Sequence, residues 1–220
     1  MAAGVRHELL TRALPALRHE MAAPVSVIRM SALLLKRQMS APTEADIPAW
    51  TERVGLIEEQ VAALAFGVHA LRDWELSTDD EGITRGDLVA RCTALMRVAF
   101  ELRGIRIQVA DGLSPVEGER RFPGGAALRY MFLGALGYLH DSVPNIGEIQ
   151  VEPDGEDALR LSARPGESAP ADPLAHAHRA PRALAIDAIA LQSLAEGLGY
   201  ALSVEADTVC FALGTALAPA

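Results

Sequence analysis

The chain has 220 residues, with 20 Lys+Arg against 29 Asp+Glu and a formal net charge of -9 at pH 7. Half of the residues are apolar, which excludes wholesale disorder, and the length suits one large domain or two small ones. No apolar run approaches the ~18 residues of a membrane span, and no Lys/Arg cluster or rich aromatic content favours nucleic acid. Cys92 and Cys210 are too few for a disulfide framework and fit a reducing compartment. Met1 to Arg12, with Glu8 among basic residues, lacks the layout of a signal peptide. These bounds predict a cytoplasmic protein that binds neither nucleic acid nor membrane.

The first periodic segment carries Leu10, Leu14, Leu17, Met21, Val25, Ile28, Ala32 and Leu35. Steps of three and four place them on one helical stripe. Pro15 and Pro24 interrupt the hydrogen-bond ladder, which predicts a late start or a bend at each. Gln38 to Asp46, with Ser40, Pro42 and Thr43, reads as a break. A second stripe follows in Ile47, Trp50, Val54, Ile57, Val61, Leu64, Val68 and Leu71. It has the form of an a/d seam, with Glu52, Arg53, Glu58, Glu59 and Gln60 opposite. Two such helices joined by a short loop make an antiparallel hairpin, and a lone hairpin cannot bury both seams. Pairing with a second copy into a four-helix bundle is the economical solution, so a homodimer is expected.

Ser77 to Thr84, with Asp79, Asp80, Glu81 and Gly82, reads as a polar hinge between domains. Beyond it, Asp87 to Leu102 has helical spacing, and Ile105, Ile107 and Val109 alternate with polar residues as in a strand. Ala126 to Ser142 is a strongly apolar helix. Glu148 to Glu152 and Ala158 to Ala163 read as paired strands around Pro153-Asp154-Gly155. Arg182 to Leu198 reads as a further helix, then Tyr200 to Glu205 and Thr208 to Leu213 as a closing hairpin. The fold class expected is α+β: residues 1–78 a helical hairpin, residues 84–220 an α/β sandwich with its helices on one face.

His19 lies two positions from both Leu17 and Met21, about 200° around the helix from each. It is therefore expected to point away from the apolar stripe into solvent. Glu20 follows directly. A histidine beside a carboxylate on a rigid helix can act as a nucleophile, one ring nitrogen held by an acceptor and the other left to attack. The other histidines carry weaker signals. His176-Ala177-His178 lacks a third metal ligand, His69 follows the core position Val68, and His140-Asp141 ends an apolar helix where a histidine meets the dipole favourably. No P-loop, hydrolase turn or cysteine-pair metal site occurs.

His19-Glu20-Met21-Ala22-Ala23-Pro24-Val25, continued by Ile28 and Leu33-Leu34-Leu35, resembles the phosphoacceptor box of bacterial sensor histidine kinases. There a His-Glu pair precedes a proline five residues after the histidine. The pair His7-Glu8 has Arg12 at that place and is the weaker candidate. The order of hairpin and α/β sandwich also resembles these kinases, in which the second domain binds ATP. The departures fall in that domain. Leu133 to Asp141 holds no asparagine where the family has a metal-holding one. Ala163-Arg164-Pro165-Gly166-Glu167 stands where an Asp-x-Gly-x-Gly turn is expected, and Pro165 to Arg182 is rich in Pro and Ala rather than Gly. Gly197-Leu198-Gly199 ends a helix, where glycine is an ordinary cap.

An acceptor histidine with an eroded nucleotide domain resembles the dimeric histidine phosphotransferases built on a pseudo-kinase scaffold. The resemblance implies that His19 takes a phosphoryl group from a receiver-domain aspartate and passes it to another receiver, with Glu20 orienting the ring. It implies no cofactor bound by this chain, Mg²⁺ on the partner receiver, and no ATP-dependent kinase activity. Partners would be response-regulator receiver domains and a second copy. The alternative is a non-catalytic pseudo-histidine-kinase scaffold that binds and regulates a response regulator or kinase, with His19 incidental. A phosphatase ranks last, since Ala23 stands four residues after His19, where phosphatase-active kinases place Thr or Asn to orient water.

Overall fold

The computed structural model describes residues 1–40, 47–72, 74–76, 80, 82–166 and 184–215, the side chains of residues 20, 69–72 and 215 excepted. Contacts divide the chain into two compact units, Leu14–Glu75 and Met1–Ala13 together with Leu76–Ala220. The architecture is mixed α+β.

The first unit is helical. Helix α1 runs from Ala2 to Met39 and continues through both Pro15 and Pro24. The late start expected at the prolines is therefore not what the chain does. Each proline removes one N–H from the ladder, leaving the Thr11 and Glu20 carbonyls without their i+4 donors, and the helix tolerates both losses. Helix α2 spans Ile47–Arg72. Within the unit, the Arg53 guanidinium (Nε) donates to Gln38 Oε1 at 3.0 Å, and a Cβ on Gly67 would lie 3.6 Å from Met21 Cγ. Late α1 thus meets early α2 and early α1 meets late α2, the antiparallel order. The facing residues are half-buried: Leu17, Met21, Pro24, Ile28 and Leu35 on α1, and Trp50, Arg53, Ile57, Gln60, Leu64 and Gly67 on α2. Ser31 is buried among them.

Only part of the second seam is used in this contact. Ile47, Val54, Val61 and Val68 recur every seven residues and remain 43 to 55% exposed. The sequence stripe merged two neighbouring lines of α2, one that meets α1 and one that stays open.

The second unit is built on a five-stranded sheet of order β2-β4-β5-β7-β6. Its strands are β2 (Arg106–Val109), β4 (Ile146–Pro153), β5 (Ala158–Pro165), β6 (Tyr200–Val204) and β7 (Thr208–Thr215). The β2–β4 pair is parallel and the others antiparallel. Ile149, Val151, Leu159, Leu161, Ala163, Val209, Phe211 and Leu213 are buried on one face, while the alternate residues Glu152, Arg160 and Arg164 are exposed. This is the period-two pattern of a sheet covered on one side. The cover is α3 (Arg85–Glu101), α4 (Gly125–Ser142) and α5 (Ala188–Leu198). Helix α4 is buried from Gly125 to Leu139 but for half-buried Ala127, which explains why its sequence is apolar all round.

Two details differ from the sequence expectation. Ile83–Thr84 (β1) pairs antiparallel with Arg121–Phe122 (β3), so the end of the supposed hinge is an ordered, buried element. Helix α5 begins at Ala188, capped by Asp187, whose carboxylate accepts from the Ala190 N–H at 2.8 Å; residues 182 and 183 lie outside the described residues. Asp80 serves the same purpose for α4. Its Oδ2 accepts from Ala126 N–H at 2.9 Å, satisfying a donor that the helix itself leaves open, and its Oδ1 accepts from Gly82 N–H at 2.8 Å.

The first thirteen residues belong physically to this second unit. Val5, Leu9 and Ala13, spaced four apart, are 0, 2 and 0% exposed. They lie against α4 and α5, where glycines leave room. A Cβ on Gly134 or Gly137 would come within 3.8 and 3.6 Å of Leu9, and one on Gly197 within 2.7 Å of the Ala2 methyl.

Candidate functional site

His19 sits in α1 within the helical unit, and its side chain is exposed. Leu17 and Met21 on either side of it are half-buried, so the two-residue offset turns the ring away from the contact with α2. Residues three, four and seven positions further along share its face. Here these are Ala22, Ala23 and Ser26, all exposed, and the Ser26 hydroxyl turns back to donate to the Ala22 carbonyl at 3.0 Å. The side chains that share this face with the imidazole are small. The side chain of Glu20 lies outside the described residues.

The remaining histidines separate clearly. His7 is exposed. His140 is not: its side chain is 6% exposed, and its Nδ1 lies 2.8 Å from Asp141 Oδ1. Arg103 Nη1 lies 3.3 Å from His140 Nε2. A guanidinium only donates, so Nε2 accepts and the proton sits on Nδ1, donated to Asp141. The ring also packs edge-on against Phe100 with centroids 5.5 Å apart. The side chain of His69, and both His176 and His178, lie outside the described residues.

Asp141 centres a network that sequence reading did not assemble. Arg12 donates through Nη2 to Asp141 Oδ2 at 2.8 Å and to the Leu184 carbonyl at 2.8 Å, and through Nε to Glu8 Oε1 at 2.9 Å. The Ile186 N–H also donates to Asp141 Oδ2, at 3.0 Å. Burial by itself would raise the Asp141 carboxyl. Hydrogen bonds from His140, Arg12 and Ile186 outweigh it and hold the group far below the usual carboxylate range. For Arg12, burial is likewise opposed, and exceeded, by Asp141 and Glu8. The only sequence signals were the Glu8–Arg12 spacing of four and the lone His140-Asp141 pair. Neither reveals its distant partner.

The segment Leu133 to Asp141 lies in α4, and Ala163 to Pro165 at the end of β5. Tyr138 is buried in α4 and donates its hydroxyl to the Glu205 carbonyl at 3.0 Å. Arg164 is exposed near the end of β5, and Glu167 lies outside the described residues. Among the described residues, no group of three or more His, Cys, Asp or Glu could hold a metal ion. No helix there is long and apolar enough to cross a membrane.

No protein-family model matches the chain, and no curated protein matches it. Among solved structures it is similar to the hybrid histidine kinase ShkA, crystallised full-length in complex with AMPPNP. The TM-score is 0.37 and the identity 17%, covering 96% of this chain and 47% of that one. The chain thus spans about half the length of that protein.

Proposed function

We propose that this chain is a histidine phosphotransferase of a phosphorelay, with His19 as the acceptor. The observation that carries the reading is an exposed imidazole on a long helix, bordered by Ala22, Ala23 and Ser26, in a segment whose sequence resembles a phosphoacceptor box. A partner's phosphoaspartate needs such an approach, because in-line attack at phosphorus requires a clear path to the ring nitrogen. In the proposed step, Nε2 of His19 attacks phosphorus and the P–N bond forms. The P–O bond to the receiver aspartate breaks, and the carboxylate leaves with the electron pair. Glu20 would accept the Nδ1–H hydrogen bond and stabilise the charge that develops on the ring. Mg²⁺ would belong to the receiver's own carboxylates.

The open line Ile47, Val54, Val61 and Val68 of α2 supports a second copy as the occupant of that face. A four-helix bundle would result. The second unit would be an ATPase-like sandwich that no longer binds nucleotide, in keeping with the lack of an asparagine from Leu133 to Asp141 and with Arg164 near the place expected for the aspartate.

The test is direct. The full chain is mixed with a phosphorylated receiver domain, and acid-labile, base-stable label is followed on wild type and His19→Ala. Label on wild type alone supports the assignment. Label retained by the variant moves the acceptor, with His7 next to examine. No label on either protein favours the scaffold reading, and micromolar ATP binding by calorimetry would overturn the pseudo-kinase reading.

A further inference from the structure

We infer that residues 2–13 form a releasable arm, and that α1 has two starts. Docked on α4 and α5, the helix starts at Ala2, which is the state the structure holds. Released, it starts at Pro15.

Local chemistry favours the second start. Proline lacks an N–H and has its φ fixed near the helical value, which suits the first position of a helix. In the interior of α1, Pro15 instead leaves the Thr11 carbonyl without its i+4 donor. It also disfavours helical backbone at the residue before it, and that residue, Leu14, is 42% exposed within the helix. Gly4 adds to the cost. It is held helical although a Cβ there would meet nothing within 4 Å, so its backbone freedom is lost where no close contact requires a glycine. A separate helix as short as residues 2–13 is marginal in water. The arm is therefore helical because it is docked.

Docking rests on few groups. Val5, Leu9 and Ala13 are the buried apolar side chains of the arm, and Arg12 bonds to Asp141 and to the Leu184 carbonyl. One donor is lost in the process. Arg6 Nε is buried with no hydrogen-bond partner among the described residues, and release returns it to water. Tertiary contacts thus oppose local preference within one short segment, which is the condition for two states of similar free energy.

Release strips Arg12 from Asp141, uncovers α4 and α5 where the arm lay, and shortens the helix that carries His19. These changes belong to one equilibrium, so whatever favours one favours the others. The arm is a conformational link built into the fold, and it holds whether or not His19 accepts phosphate.

Native-state hydrogen exchange of the full chain, read residue by residue, tests this. Amides from Val5 to Leu17 should open at a common rate, at least about tenfold faster than those of α4. Pro15→Ala restores the donor to Thr11 and removes the preferred second start, so it should slow arm exchange at least about tenfold. Gly4→Ala, which meets no neighbour, should slow it about three- to fivefold through helix propensity alone. A smooth gradient of rates rising toward Met1 is ordinary fraying and overturns the arm. Arm amides that open only at the rate of α4 overturn it as well. A Pro15→Ala chain that folds yet leaves the arm at the wild-type rate removes the second start, and an unchanged rate in Gly4→Ala removes the equilibrium between docked helix and released chain.

Discussion

Replacing Arg12 by Ala should loosen the α/β unit selectively. The guanidinium joins Glu8, Asp141 and the Leu184 carbonyl, and the Asp141 side chain is only 1% exposed. Removing one partner of a buried ion pair costs about 3 to 5 kcal/mol, chiefly because the other charge is stranded. Asp141 would keep the hydrogen bonds from His140 and Ile186, and Arg12 is itself 18% exposed. A loss of about 2 to 3 kcal/mol follows. Arg12→Lys should lose about half as much, since an ammonium keeps the charge but cannot span three acceptors. Two units make a single melting curve a poor measure, so native-state hydrogen exchange of α4 and α5 amides is the assay of choice. Both tryptophans, Trp50 and Trp74, lie in Leu14–Glu75, whereas Tyr130, Tyr138 and Tyr200 lie in the α/β unit. Tryptophan emission therefore tests whether the effect is confined. Adding Asp141→Asn to Arg12→Ala should recover at least about 1 kcal/mol relative to the sum of the single losses. A loss below about 0.5 kcal/mol in Arg12→Ala, or strict additivity, would refute the reasoning.

Asp141 also sets an acid limit. Its folded pKa is held low, so its contribution is complete above the unfolded value of about 3.9 and is lost as pH falls below that; Asp141→Asn should abolish this fall in α4 exchange protection between about pH 4 and pH 2. Gly4→Ala should stabilise by about 0.5 to 1 kcal/mol, since a Cβ there meets nothing within 4 Å. Gly137→Ala should destabilise by about 1 kcal/mol, both changes read by native-state hydrogen exchange, because its Cβ would lie 2.7 Å from Ile186 Cδ1 and overpacking outweighs helix propensity. Burial pushes the Cys92 thiol up to about 12, so one thiol per chain, Cys210, should react with a disulfide reagent at pH 8 in the native state and two after denaturation.

The α/β elements were legible because each repeats one period over enough residues to average out local exceptions. Helix α4 and the strands β4, β5 and β7 meet that condition, and their observed bounds differ from the sequence reading by a few residues. β1 and β3 hold two residues each, too few for any period to register, and their pairing spans a sequence gap that no local pattern encodes. The two prolines misled about where the helix starts for a different reason. Propensity scores the lost hydrogen bond, but α1 is held by packing on both sides of Pro15, by Leu9 and Ala13 before it and Leu17 and Met21 after it.

The same helix shows why part of the candidate site stayed hidden. From Leu10 to Leu35 the periodicity reads as one stripe with one partner, yet residues 2–13 pack within the α/β unit and residues 14–39 count with α2. Apolar spacing says that a face is buried and is silent on what buries it. His19 was legible because its exposure depends only on its offset from Leu17 and Met21, a property of one helix. The Arg12–Asp141 pair was not, because 129 residues separate its members and each alone is an ordinary charge. If α1 serves both as acceptor helix and as part of the second unit's core, substitutions near Arg12 should be screened for folding before any loss of phosphoryl transfer is assigned to chemistry. His19→Ala, at an exposed position bordered by small side chains, carries no such ambiguity and is the cleaner probe of the proposed reaction.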